Sequence, residues 1–175
     1  GMAEYYSKNL AREVLKGQRE NAYKARYNGG KVLYGYKIVD GKYEIEPSAA
    51  SVVRRIFAMR AAGAGYNEIM QALSASGVKT KTGKSFAKNS LFDMLNNQRY
   101  IGNYVFGRVA TRPDGKRNNH ETSPDAIVIP GGQPAIIDQQ TWEKVQERIA
   151  ETRRGPGRHR AKEDYLLSGK IRCTC

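Results

Sequence analysis

The sequence predicts an α+β domain that is mainly helical: a helix-turn-helix-like pair with a small β-hairpin or sheet, preceded by a long linker helix. Three observations predict it. Apolar residues recur at helical spacing in several separate stretches, among them Val53, Ile56 and Phe57, then Ile69, Met70 and Leu73, then Leu91, Met94 and Leu95. Asp40-Gly41, a strong two-residue turn signal, is flanked by alternating apolar positions. A lysine-rich connection, GVKTKTGKSF, joins two of the short helices and is followed by a segment rich in β-formers.

From Ala3 to about Arg26 the chain reads as one helix, with Tyr6, Leu10 and Val14 on a narrow stripe. So thin a stripe buries little against this domain, and docking on another domain is the expectation. Between Lys8 and Lys31 there are seven bases and two acids, so the exposed face suits phosphates. Tyr27 to Lys31 (YNGGK) breaks the helix, because adjacent glycines are the most costly in backbone entropy. Closing the Asp40-Gly41 turn pairs Ile38 with Tyr43, Tyr36 with Ile45 and Lys37 with Glu44.

Pro47 suits the first turn of a helix running to about Ala62, with Ala49, Val53, Ile56, Phe57 and Arg60 on one side and Arg54 and Arg55 elsewhere. Gly63 and Gly65 end it, Gly65 caps a helix from Tyr66 to Ser76, and Gly77 stops that one. A helix over roughly Ala87 to Asn97 follows, then a strand over Tyr100 to Phe106 that Ala126 to Ile129 can pair with. The loop between them, Gly107 to Asp125, is polar and too long for a tight hairpin, with Arg108, Arg112, Lys116 and Arg117 around an Asp114-Gly115 turn; it is expected to be functional or mobile. Asp138 caps a last helix with Trp142, Val145 and Ile149 buried. Beyond it lie a basic linker without apolar period and a return to apolar residues at YLLSGKIRCTC.

Composition narrows the partner. Thirty Lys and Arg against seventeen Asp and Glu give a net charge of +13, and a sequence pI near 9.8 points to an acidic polymer. Lys79, Lys81, Lys84 and Lys88 fall within ten residues that hold no acid. No apolar run approaches the ~18 residues of a bilayer span and no signal-peptide pattern opens the chain, so a cytoplasmic protein with no membrane partner is expected. Gly1 before Met2 reads as a tag scar, and the chain as a piece of a longer protein.

Chemistry is harder to find. Cys173 and Cys175 are the only cysteines, too few for a disulfide framework; they make half of a zinc site at most, since a structural zinc needs four Cys or His ligands. His120 and His159 stand without patterned partners, no serine sits in a nucleophile-elbow pattern, and the acids are scattered. No active site is read. Of the eleven tyrosines, Tyr36, Tyr43, Tyr100 and Tyr104 fall on strand positions and read as core, whereas Tyr27 and Tyr34 are the best placed to meet a nucleic acid.

Taken together, GYKI with its EP, VVRRIFAMRAAG, NEIMQALSASGVKTKTGKSF, NNQRYIGNYVFG, IIDQQTWEKVQERI and YLLSGKIRC resemble, in order and spacing over roughly Gly30 to Cys173, the DNA-binding recombinase domain of large serine recombinases, the integrases and transposases of phages and mobile elements. The resemblance implies a division of the chain. Residues 1–26 would be the end of the long helix leaving a catalytic domain, 27–33 a linker, 34–153 the recombinase domain, 154–164 a basic linker, and 165–175 the start of a zinc ribbon. It implies that the nucleophilic serine lies in the catalytic domain and that this chain is not itself catalytic. No cofactor is expected in the chain, zinc being expected in the domain that Cys173 and Cys175 would open. The longer protein would bind as a dimer on each attachment site and as a tetramer in synapsis. Three positions depart from the family's pattern: Lys31-Val32-Leu33 stands in place of linker prolines, Ala87 in place of a capping serine, and Gln98 in place of a proline.

The expected function is therefore sequence-specific binding of one attachment half-site in duplex DNA, with the Ala87 to Asn97 helix in the major groove and the linker along the minor groove. Lys79, Thr80, Lys81, Lys84 and Ser85 are candidate phosphate contacts. Lys88, Asn89, Ser90 and Asp93 are candidates on the reading helix, and Lys31, Arg99 and Arg108 complete the set. A winged-helix transcription regulator is the alternative within the binding class; a self-contained nuclease and an oligomerisation module are the alternatives outside it.

Overall fold

The computed structural model describes residues 1–111 and 117–154. The Asp114-Gly115 turn, His159, the basic linker beyond Arg154, and the segment 165–175 with Cys173 and Cys175 lie outside the described residues.

Helix α1 spans Met2–Tyr23. It stops three residues short of the expected Arg26, because Ala25 takes a left-handed conformation (φ 51°) and Arg26 N donates back to Asn21 O at 2.9 Å. This closes the last turn at a cost of about 1 kcal/mol for a residue with a Cβ. Gly29 and Gly30 thus follow a helix that has already ended. Tyr6, Leu10 and Val14 are 73, 55 and 51% exposed, so the stripe finds no partner among the described residues. Only the end of α1 is seated, through buried Ala22 and an ion pair from Arg19 to Asp125 at 3.7 Å.

Strands β1 (Tyr36–Val39) and β2 (Lys42–Ile45) pair antiparallel in the register read from the sequence, Tyr36 with Ile45, Lys37 with Glu44 and Ile38 with Tyr43. Asp40 and Gly41 both have positive φ, 48° and 73°, as a type I′ turn requires. Lys37 and Glu44 lie 3.3 Å apart on the solvent face; being half exposed, the pair adds little stability. The hairpin enters the core through Gly35, where a Cβ would meet Ile136 Cδ1 at 2.8 Å and Val53 Cγ2 at 3.1 Å.

Helix α2 (Pro47–Ala61) buries Ala49, Ala50, Val53, Ile56, Phe57 and Arg60, and packs on the last helix, α5 (Gln139–Arg154), where Phe57 stacks on Trp142 at 6.0 Å. Arg60 is 5% exposed. Its guanidinium donates to Ala64 O, Arg148 O and Thr152 Oγ1, stitching the ends of α2 and α5 together. Helix α3 (Tyr66–Ala75) buries Ile69 and Leu73, and α4 (Lys88–Leu95) buries Leu91, Met94 and Leu95. Each fully buried Leu or Ile contributes roughly 1.5–3 kcal/mol, so both short helices are held by their apolar faces rather than by propensity. Neither N-cap residue has a polar side chain. Instead the third residue of each helix reaches back: Glu68 Oε2 accepts from Gly65 N at 2.8 Å, and Ser90 Oγ accepts from Ala87 N at 3.0 Å. Asp138 caps α5 as expected, accepting from Thr141 N at 2.8 Å.

After α4 the structure departs from expectation. Tyr100 and Ile101 belong to a 3-10 turn, Gln98–Ile101, because Asn97 Oδ1 caps it at Arg99 N and Gly102 (φ 94°) turns the chain into β3, only Tyr104–Phe106. A side chain at Gly102 would press on Gln133 O at 3.1 Å. Strand β6 (Ile127–Ile129) pairs with β3 as expected. The long loop between them is not structureless: β4 (Val109–Thr111) and β5 (Arg117–Thr122) form a third two-stranded sheet with an irregular register.

Candidate nucleic-acid interface

The lysine-rich connection between α3 and α4 is fixed at both ends and closed in the middle. Val78 is half-buried and Phe86 buried, while Thr80 N and Thr80 Oγ1 both donate to Lys84 O, at 2.8 and 3.0 Å. Lys79, Lys84 and Ser85 are left exposed on a loop of defined shape. Phe86 meets Tyr34 edge to face at 5.3 Å, tying this loop to the end of the 27–33 segment. Between loop, segment and helix lies a cleft of about 300 Å³, lined by Lys31, Tyr34, Thr80, Ser90, Asp93 and Asn97 among others. Segment 27–33, the loop and α4 thus converge on one surface.

On α4, Lys88, Asn89, Ser90 and Asp93 are all exposed. At 3.6 residues per turn Asn89 and Asp93 are about 40° apart, opposite Leu91, Met94 and Leu95. Ser90 is occupied in closing the helix start, so Asn89 is not the capping residue. Lys88 Nζ lies over the Tyr66 ring at 6.0 Å, on which Arg60 Cζ also sits at 5.1 Å. Asn97, at the cleft, and Phe92, 37% exposed on the outer side, belong to this surface too. Neither was singled out from the sequence, although helical angle alone places both.

Two of the expected contact residues are engaged within the fold. Lys81 is not a free cation like its neighbours: Nζ donates to Tyr36 O at 2.5 Å and lies 3.8 Å from Glu46, so it braces the loop against the hairpin. Arg99 turns inward. Its guanidinium covers the Tyr43 ring at 4.6 Å, Nε donates to Gln133 Oε1 at 3.1 Å, and Nη2 is buried without a hydrogen-bond partner among the described residues. Gln133 in return donates to Arg99 O at 2.7 Å. Arg108 is exposed and borders a second recess with Gln98 and Thr122, which meets the cleft at Asn97.

The tyrosines work from behind. Tyr36 Oη donates to Pro134 O at 2.8 Å, Tyr100 Oη to Tyr34 O at 3.1 Å and Tyr104 Oη to Arg26 O at 2.8 Å. The last two grip the two ends of the 27–33 segment. Burial, the largest influence on each, raises the pKa of all three phenols above the ordinary 10.0, keeping them protonated donors. Tyr27, expected to be available to a nucleic acid, is half-buried against Tyr43, edge to face at 5.8 Å; Tyr34 borders the cleft.

Among the described residues no three His, Cys, Asp or Glu side chains gather where a metal could bind, and no helix is long and apolar enough to cross a membrane.

The chain belongs to the recombinase family, whose model, described as Recombinase, matches residues 47–152. The match takes in α2 through most of α5. Two solved structures share the fold. One, described as the crystal structure of an LSR-DNA complex, is 17% identical with a TM-score of 0.59, over 82% of this chain and 39% of that one. The other, described by the sequence requirements of the Listeria innocua prophage attP site, is 17% identical with a TM-score of 0.55, over 79% of this chain and 51% of that one. This chain therefore spans about two fifths to a half of the chains it is similar to. No curated protein matches it.

Proposed function

We propose that this chain binds one half of an attachment site in duplex DNA and serves as the DNA-holding part of a site-specific serine recombinase, strand cleavage being the task of a separate catalytic domain. The observation that carries the reading is the convergence of the 27–33 segment, the lysine loop and the outer face of α4 on one surface. An α-helix with free polar side chains fits a major groove, and an irregular segment carrying Lys31 beside it fits the adjoining backbone and minor groove. Lys79, Lys84 and Lys31 hold phosphates, and Asn89, whose amide can meet adenine N6 and N7 together, reads a base. A solved recombinase with this fold is described in complex with DNA, which supports the class of partner.

Selection of duplexes from a random pool, followed by titration of the selected and a scrambled duplex at two salt concentrations, tests this. A clear preference for the selected duplex is expected, with both affinities falling steeply with salt. Equal affinity for both duplexes would remove the base-reading role and leave a general DNA-binding surface.

A further inference from the structure

The lysine loop and α4 contain one residue of the wrong sign. From residue 69 to residue 113 the chain holds seven Lys and Arg and a single acid, Asp93. Asp93 is exposed on α4 and borders the cleft that Lys31 and Lys81 also line, so a phosphate backbone drawn to this cleft comes close to it. A carboxylate there opposes binding to DNA in general: like charges about 4 Å apart in water repel by roughly 1 kcal/mol.

Nothing within the fold explains its presence. Among the described residues no cation lies within salt-bridge distance of Asp93, and no hydrogen bond engages its side chain. The start of α4 is closed by Ser90. Asp93 is third from the helix end, where the macrodipole disfavours a negative charge. What a carboxylate offers on the outward face of a major-groove helix is an acceptor for the one exocyclic donor a cytosine presents, its N4 amino group.

We propose that Asp93 is a specificity-determining residue that selects a C·G pair in the half-site, one or two pairs from the base read by Asn89, while lowering affinity for every other sequence. The proposal rests on α4 being the base-reading helix. Asn89 and Asp93 are one turn apart, about 6 Å along the axis, a little under two base-pair steps of about 3.4 Å, so their targets are one or two pairs apart. One residue supplies the attraction to an adenine and the other the penalty for a wrong neighbour.

The 175-residue chain and its Asp93→Ala and Asp93→Asn variants are titrated on a duplex selected by the wild type, on copies with each C·G pair changed to T·A, and on scrambled duplex. Asp93→Ala is expected to bind scrambled duplex about fivefold tighter than wild type. At one C·G pair the change to T·A should cost the wild type roughly tenfold and cost Asp93→Ala nothing, and Asp93→Asn should shift preference there toward adenine. An equal gain by Asp93→Ala on all duplexes would reduce the residue to a repulsive surface charge, and an equal loss with a lowered melting temperature would make it a support of the fold; either overturns the proposal. Failure of the wild type to select any sequence would remove the base-reading role of α4 itself, and this proposal with it.

Discussion

Tyr104 donates its hydroxyl to the carbonyl of Arg26 at 2.8 Å, joining strand β3 to the residue just beyond the end of α1. Asn28 works beside it, its Nδ2 donating to Gln18 O at 2.8 Å and lying 3.5 Å from Tyr104 Oη. Tyr104→Phe is expected to cost about 1 kcal/mol in urea unfolding and to speed amide exchange over residues 24–30 while α2 and α5 stay protected. Unchanged exchange there would show that the segment is held by other contacts.

The three loop lysines should separate into two kinds. Lys79→Ala and Lys84→Ala are expected to weaken binding to selected and scrambled duplexes by the same factor and to lower the log-log salt slope by about one. Lys81→Ala should instead reduce stability, by up to about 1 kcal/mol for a partly exposed pair, with a smaller change in slope. Titrations at two salt concentrations and a thermal melt on each variant decide it. Three identical slopes would mean that Lys81 leaves Glu46 when DNA binds.

For Asn89 the expected signature is loss on the selected duplex alone. Asn89→Ala should cost roughly 1–3 kcal/mol there and little on scrambled duplex, with an unaltered melting temperature, since Ser90 closes the helix. A drop in melting temperature with the preference intact would assign Asn89 to the helix instead.

The buried Arg60 guanidinium joins three acceptors at the ends of two helices. Arg60→Ala leaves those carbonyls and Thr152 to find other partners and opens space beside Tyr66; a loss of about 3 kcal/mol is expected. Arg60→Lys should recover only part of it, because an ammonium cannot span the fork. A loss under 1 kcal/mol would mean that water replaces the guanidinium readily.

The cap of α5 gives a pH signature. Hydrogen bonds from Thr141 N and Thr141 Oγ1 hold the Asp138 carboxyl below its ordinary 3.8. A lowered folded value means stability that is present above pH 3.8 and lost as pH falls through the folded pKa. Wild type and Asp138→Ala should therefore differ in melting temperature at neutral pH and converge in acid. A difference that persists at pH 2 would assign the effect to something other than the charge.

The hairpin and α2 were legible down to their pairing and their buried face, because Asp40-Gly41 fixes register locally and Pro47 with a 3.6-residue stripe fixes phase. Even the burial of Arg60 followed from its place on that stripe. Sequence failed where distant partners decide. Tyr100 sits in residues that favour strands, yet Tyr34 O, 66 residues away, and the Gly102 turn hold it in a 3-10 turn. The β4–β5 pair has no apolar alternation to announce it, β5 being polar throughout, RNNHET. Charge gave the lysine loop correctly as a surface, but it is silent about direction: Lys81 and Arg99 are indistinguishable in sequence from Lys79 and Arg108, and only Glu46, Tyr43 and Gln133 set them apart.

Helix α1 is a lever. Its 22 residues extend about 33 Å at 1.5 Å each, and every described residue up to Gly17 is exposed, so the arm is attached to the rest of the fold through Ala22, Arg19 and the Asn28 bridge. A swing of about 10° at that attachment carries the far end through about 6 Å, close to two base-pair steps. Small adjustments among three side chains at the fulcrum would thereby be magnified into displacements of several ångströms at Met2.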